Sequence, residues 1–159
     1  MDNILELKQV KKCYKGFTLG EISLELPRGV VMGLVGANGA GKTTLMKLML
    51  GITMPDSGTI GILGGAATDS ALHERIGVVF DELAIPDSLT VEQMGKVMEG
   101  LYKSWDMEYY RSLALRMELP LDKPVKEFSR GMKMKAAIAI AMSHKAELLL
   151  LDEPTGGLD

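Results

Sequence analysis

The sequence predicts an α/β fold, with an antiparallel β region at the front of a parallel-sheet core and a helical insertion behind it. Three observations predict it. A valine-rich run at residues 30–35 passes directly into a glycine-rich loop and then into a helix-forming stretch. Two earlier segments, residues 4–10 and 17–26, alternate apolar and polar side chains as half-exposed strands do. Further on, Val91, Met94, Val97, Met98 and Leu101 recur at helical spacing.

In chain order, residues 4–10 and 17–26 form the antiparallel region, with one slip in the alternation near Gly20, and Pro27-Arg28-Gly29 turns the chain. The run 30–35 has the composition of a strand buried on both faces. Residues 43–50 have helical character and stop at Gly51, a helix-ending glycine. A turn at residues 54–58 leads to a short strand at 59–63, and 76–80 is another buried-strand candidate. Thr90 and Gln93 have the spacing of a capping box ahead of the next helix. A second helix spans 106–117, after which Pro120 and Pro124 interrupt the chain. An alanine-rich helix at 129–143 and a last strand at 147–151 follow. This divides one domain into a β subdomain and loop-bearing core (1–87), a helical subdomain (88–128) and a closing part (129–159). Trp105 and the apolar stripe of the insertion are expected in the core.

Composition removes several function classes. The 159 residues are enough for one domain with a real core. Net charge is −3, so there is no overall basic footprint for nucleic acid or an anionic membrane. The lone cysteine, Cys13, forms no internal disulfide or zinc cluster, fits a reducing cytosol, and is expected half-buried near a strand end. No stretch approaches the roughly 18 apolar residues of a spanning helix. The first residues, Met1-Asp2-Asn3, do not read as a signal peptide.

The octapeptide Gly36-Ala37-Asn38-Gly39-Ala40-Gly41-Lys42-Thr43 matches G-x-x-x-x-G-K-[ST] in full. Glycines allow backbone N–H groups to close around phosphate oxygens, and the helix that follows aims its positive end at the same oxygens. Lys42 supplies a flexible charge for the β- and γ-phosphates, and the Thr43 hydroxyl is a ligand for Mg²⁺. The chance alternative is a plain glycine turn, against which stands the strand-loop-helix context. The ligand read from this loop is MgATP, and the core is that of a P-loop NTPase. Downstream, four leucines at 148–151 run into Asp152 and Glu153. A buried strand would carry Asp152 to its C-terminal end, where ligands sit in open α/β sheets. There Asp152 is placed to hold Mg²⁺ through water and Glu153 is the candidate to polarise the attacking water; the plain alternative is two acids that cap a strand on the surface.

Four further features resemble the ATP-binding subunits of ABC transporters, and together they cover nearly the whole chain. Pro154-Thr155-Gly156-Gly157-Leu158-Asp159 looks like that family's D-loop. Phe128-Ser129-Arg130-Gly131-Met132 stands where the family has its Leu-Ser-Gly-Gly-Gln signature. Tyr14 lies where family members stack an aromatic ring on adenine, and the helical insertion falls in the family's position. Two departures are visible. Arg130 and Met132 replace glycine and glutamine of the signature, a variant that resembles export-type members, including multidrug and antimicrobial-peptide exporters. Asp81 replaces the usual glutamine of the Q-loop; a carboxylate can also approach Mg²⁺, with a different charge.

The resemblance implies ATP hydrolysis coupled to transport through a separate membrane permease, at the inner face of the cell membrane, without nucleic acid. It implies a second ATP-binding subunit, because Ser129 and Gly131 of one subunit contact the nucleotide held by the other. The implied catalytic set is Lys42, Asp81, Asp152 and Glu153, and the implied metal set is Thr43, Asp81 and Asp152. Nucleotide contacts come from Tyr14, Gly36, Ala37, Asn38, Gly39, Ala40, Gly41, Lys42, Thr43, Thr44, Ser129 and Gly131. Family members continue past the D-loop to a switch histidine. His73 and His144 both precede Asp152, so the chain looks like a C-terminally truncated domain with an exposed sheet edge. Two other readings stay open: a soluble ABC-type ATPase acting on nucleic acid or in translation, and a non-hydrolysing nucleotide-binding module.

Overall fold

A computed structural model describes residues 2–80 and 86–152. The chain divides into two compact units, Met1–His73 and Glu74–Asp159.

The first unit is built on a four-stranded antiparallel sheet of order β2-β1-β3-β4. β1 (Asn3–Tyr14) and β2 (Phe17–Pro27) form a hairpin in which Tyr14 pairs with Phe17 across a two-residue turn. Its alternation buries Leu5 and Leu7, two residues apart, and Val10 is buried after the register shift that follows Leu7. The slip expected near Gly20 is present: the register steps from Val10↔Ile22 to Lys12↔Leu19. A second irregularity, at Gln9 (φ 50), was not visible in the pattern. The helix α1 (Lys42–Met49) buries Leu45, Met46, Leu48 and Met49, and ends ahead of Gly51, whose φ of 66 supplies the left-handed stop. β3 (Ser57–Ile62), the two-residue β4 (Gly65–Ala66) and the short α2 (Ser70–His73) complete the unit.

Two expectations for this unit are corrected. The run 30–35 forms no ladder among the described residues, and Val31 and Val35 stand 99% and 95% exposed. A two-face-buried strand needs a neighbour on each side, and the sheet of this unit is antiparallel throughout, with β2 and β4 at its edges. Composition supplied the apolar surface without a parallel partner to cover it. Cys13, expected half-buried, is exposed, because the hairpin carries it to its turn end.

The second unit joins a parallel pair to a helical bundle. β5 (Ile76–Val79) and β6 (Leu148–Leu151) pair in parallel, Ile76 opposite Leu148 through Val79 opposite Leu151. The alanine-rich α5 (Arg130–Met142) packs on β5. Small side chains let the two backbones approach: a β-carbon on Gly77 would fall 2.4 Å from the Ala141 carbonyl oxygen. The leucine run expected to be buried is covered on one face only, with Leu148 and Leu150 inside and Leu149 and Leu151 exposed.

α3 (Val91–Leu101) and α4 (Met107–Arg116) pack with α5 around Val91, Met94, Tyr110, Leu113 and Phe128. The Thr90–Gln93 capping box is fully formed, and Asp106 caps α4 by accepting from the Tyr109 N–H at 2.8 Å. The buried Tyr110 hydroxyl donates to the Val91 carbonyl at 3.0 Å, so its polar end is satisfied inside the core. Burial pushes its pKa well up. Arg111 pairs with Glu92 between α4 and α3, which holds the Glu92 carboxyl below its ordinary range. Trp105, expected in the core, lies half-buried against it; of the helical stripe, Val91, Met94 and Met98 are buried, whereas Val97 and Leu101 are exposed. His144 is a structural residue: its ring stacks on Tyr102 at 4.2 Å and its Nδ1 is 3.0 Å from the Glu74 carbonyl.

Candidate functional site

The glycine-rich octapeptide forms a turn that opens directly into α1. The Ala40 N–H donates to the Ala37 carbonyl at 3.1 Å, and Gly39 and Gly41 take φ values of 80 and 97. That left-handed backbone is costly for any residue with a β-carbon, which accounts for glycine at both positions. Gly41 is also the N-cap of α1 and offers no side-chain cap. Its carbonyl accepts from the Leu45 N–H at 2.8 Å, so the helix starts at Lys42 while its first N–H groups point out of its end. Residues 36–40 are exposed, and Lys42 and Thr44 are half-buried.

Lys42 folds back along the loop: its Nζ donates to the Gly36 carbonyl at 2.7 Å and to the Ala37 carbonyl at 3.2 Å. The ammonium thus lies over the concavity that the backbone makes. A helix end without a capping side chain, two left-handed glycines and a cation folded over the loop fit the phosphate end of a nucleotide. The hydroxyl of Thr43 at the first helical turn is a hard oxygen donor of the kind Mg²⁺ takes.

The hairpin tip approaches this loop. A β-carbon on Gly41 would fall 2.8 Å from Phe17 Cζ and 2.8 Å from Leu19 Cδ1, so β2 lies directly against the loop. Tyr14, beside Phe17 in the hairpin register, is 45% exposed and so has accessible ring surface. Its ring stacks beside that of Phe17, with centroids 6.5 Å apart, and the Lys12 ammonium lies 5.7 Å from its centroid. Lys12 is tied in turn to Asp56, at 2.8 Å, and Asp56 also accepts from the Cys13 N–H at 2.7 Å. The Lys12 hydrogen bond, then that from Cys13, holds the Asp56 carboxyl below its ordinary range. Phe17, Lys12 and Asp56 were not among the sequence candidates. The only available signal was their proximity to Tyr14 in the chain or across the hairpin.

The remaining candidates belong to the second unit. Ser129 is the N-cap of α5 and accepts from the Met132 N–H at 3.2 Å; it is exposed, and Gly131 is half-buried in the first turn. Asp152 follows β6, its N–H donating to the Val79 carbonyl at 2.8 Å, and it is one of three buried polar residues among those described. The end of β6 therefore lies beside the end of β5. Asp81 and Glu153 lie outside the described residues, as does the segment 154–159 read as a D-loop. Of the sequence candidates, Tyr14 and residues 36–44 belong to the first unit, and Ser129, Gly131 and Asp152 to the second.

Comparison with known proteins agrees in kind. A family profile described as ABC transporter matches residues 19–156. The ABC transporter ATP-binding protein YtrB of Bacillus subtilis is 32% identical over 98% of this chain, which covers 54% of that protein. The bacitracin transport ATP-binding protein BcrA of Enterococcus faecalis is 34% identical over the whole chain, covering 53% of its length. A ribose import ATP-binding protein, RbsA 2 of Burkholderia cenocepacia, is 36% identical over 99% of the chain and 34% of its own. Among solved structures, an ATP-binding subunit of an ABC transporter superposes with a TM-score of 0.85 at 28% identity, over 97% of this chain and 68% of that one. The chain spans about half the length of the first two relatives.

Proposed function

The chain belongs to the ABC transporter family, and from that premise we propose that it binds MgATP on the loop 36–43 as part of an ATP-driven transport protein. The observation that carries this is the loop itself: a complete phosphate-binding octapeptide whose two left-handed glycines open an uncapped helix end under the Lys42 ammonium. In this reading Lys42 leaves the Gly36 and Ala37 carbonyls for the β- and γ-phosphates. Backbone N–H groups of residues 36–44 bind the same oxygens, and the Tyr14 ring takes the base.

Thr43 and Asp152 hold Mg²⁺, Asp152 through water, and Asp81 approaches the same ion. Mg²⁺ when bound neutralises charge on the phosphates. Glu153 orients the water that attacks the γ-phosphate, and Ser129 and Gly131 contact nucleotide held by a second ATP-binding subunit. The whole protein docks on a membrane permease at the inner face of the cell membrane. Among the described residues no helix is long and apolar enough to cross a membrane, so in this reading the permease supplies the passage. The Ser129-Arg130-Gly131-Met132 signature favours export, although relatives include an import protein.

Calorimetric titration of MgATP into the folded chain tests the central claim. Binding is expected, and Lys42→Ala is expected to weaken it by at least about tenfold, as the loss of a charge-assisted phosphate contact does. A folded wild-type chain that ignores MgATP, or a Lys42→Ala variant that binds as well, rejects it. Turnover by the whole protein, abolished in Glu153→Gln, tests the hydrolytic role. Uptake against release by permease-containing vesicles tests direction.

A further inference from the structure

Resting on the nucleotide-binding reading above, we propose that Phe17 is a positioning residue that sets the distance between the Tyr14 ring and the phosphate loop, and so favours a nucleotide over a bare polyphosphate. Two contacts of the same side chain carry this. On one side Phe17 is the cross-strand partner of Tyr14, and the two rings lie 6.5 Å apart at an interplanar angle of 23°. On the other side its Cζ reaches to 2.8 Å from where a β-carbon of Gly41 would stand. Gly41 is the N-cap of α1, the point at which the loop becomes the helix.

A ligand whose phosphates lie on the loop and whose base lies on Tyr14 spans both ends of the bridge that Phe17 makes. The hairpin tip is otherwise a two-residue turn at the open end of a sheet, a place where strands fray. Contacts from two directions restrain it. Asp56 ties Lys12 and the Cys13 N–H to the turn before β3. Phe17 and Leu19 both lie against the loop at Gly41, and of the two it is Phe17 whose ring also lies beside Tyr14, so it links the base platform to the phosphate cradle. A ring is suited to this: it is rigid, and it presents a face to one neighbour and an edge to another.

The test measures dissociation constants of magnesium tripolyphosphate and MgATP with the folded 159-residue chain. Phe17→Leu keeps an apolar group against Gly41 but removes the ring beside Tyr14; Phe17→Ala removes both; Phe17→Tyr keeps the ring. We expect Phe17→Ala and Phe17→Leu to weaken MgATP about three- to tenfold, the range of one aromatic pair. Tripolyphosphate is expected to weaken less than about twofold on the same scale, and Phe17→Tyr to restore MgATP binding. The double variant Tyr14→Ala/Phe17→Ala should lose no more MgATP affinity than Tyr14→Ala alone, since both remove one device. Equal weakening of both ligands would make Phe17 a mere buttress of the loop and overturn the proposal. Unchanged MgATP affinity would also overturn it. A wild-type chain that binds tripolyphosphate and MgATP equally would remove the base platform and this inference, leaving the phosphate loop standing. A wild-type chain that binds neither would remove both readings.

Discussion

Residues 30–35 and 76–79 are alike on paper: short, rich in valine or isoleucine, each with one glycine, each carrying the stamp of a buried parallel strand. They end differently. In β5, Val79 is 1% exposed, the strand pairs with β6, and Gly77 lies under the last turn of α5. In 30–35, Val31 and Val35 are almost fully exposed, and a β-carbon on Gly33 would meet none of the described residues within 4 Å. The difference teaches that hydrophobicity nominates a strand, and a partner with free backbone groups makes it one. β5 has such a partner in β6 and a small-residue helix to cover it.

The largest effect that separates the two runs is expected at their glycines. Gly77→Val must push a side chain into the Ala141 backbone and should destabilise the chain by about 2–4 kcal/mol, as overpacking against rigid backbone does. Gly33→Val meets open space and should stay within about 0.5 kcal/mol. Urea unfolding of the two variants measures both. Equal losses would mean that 30–35 is as tightly covered as β5.

Next in size is truncation of a valine. Val79→Ala removes buried methyl groups at about 1–2 kcal/mol, whereas Val31→Ala should be close to neutral. A large loss at Val31 in thermal melting would erase the contrast between the runs.

A smaller effect belongs to caps. Thr90→Ala removes the hydroxyl that accepts from the Gln93 N–H, while the backbone N–H at position 90 still donates to the Gln93 side chain, and should cost about 1 kcal/mol. That sets α3 apart from α1, which starts at Gly41 with no side chain to lose.

The smallest effect is the pH dependence of the Lys12–Asp56 tie. Asp56 is held below its ordinary range by Lys12 and the Cys13 N–H, so its contribution is present above the ordinary carboxylate pKa and disappears as pH falls through the lowered value. Lys12 is raised mainly by its hydrogen bond to Asp56, so its share is present below the ordinary lysine pKa and is lost at higher pH. The melting difference between wild type and Asp56→Asn should therefore be level across neutral pH and vanish at the acid extreme. A difference that persists in strong acid would mean that the carboxylate charge is not what ties the turn. The pair is exposed, so the difference is expected to be slight.

Wherever a local rule decides an element, the sequence was sufficient. The capping box, the Gly51 stop, the hairpin alternation with its slip at Gly20 and the Asp106 and Ser129 helix starts all depend on neighbours within a few residues. The backbone of the glycine-rich loop belongs with them, because glycine at 39 and 41 and lysine at 42 dictate backbone and charge on the spot. What needed the tertiary structure was everything settled by distant partners. It left 30–35 uncovered, covered the leucine run of β6 on one face, and placed Cys13 at an exposed hairpin end. It also brought Phe17 and Leu19 against Gly41. Periodicity records which residues prefer to leave water; which surface receives them depends on chain segments far away in sequence, and no local pattern encodes that.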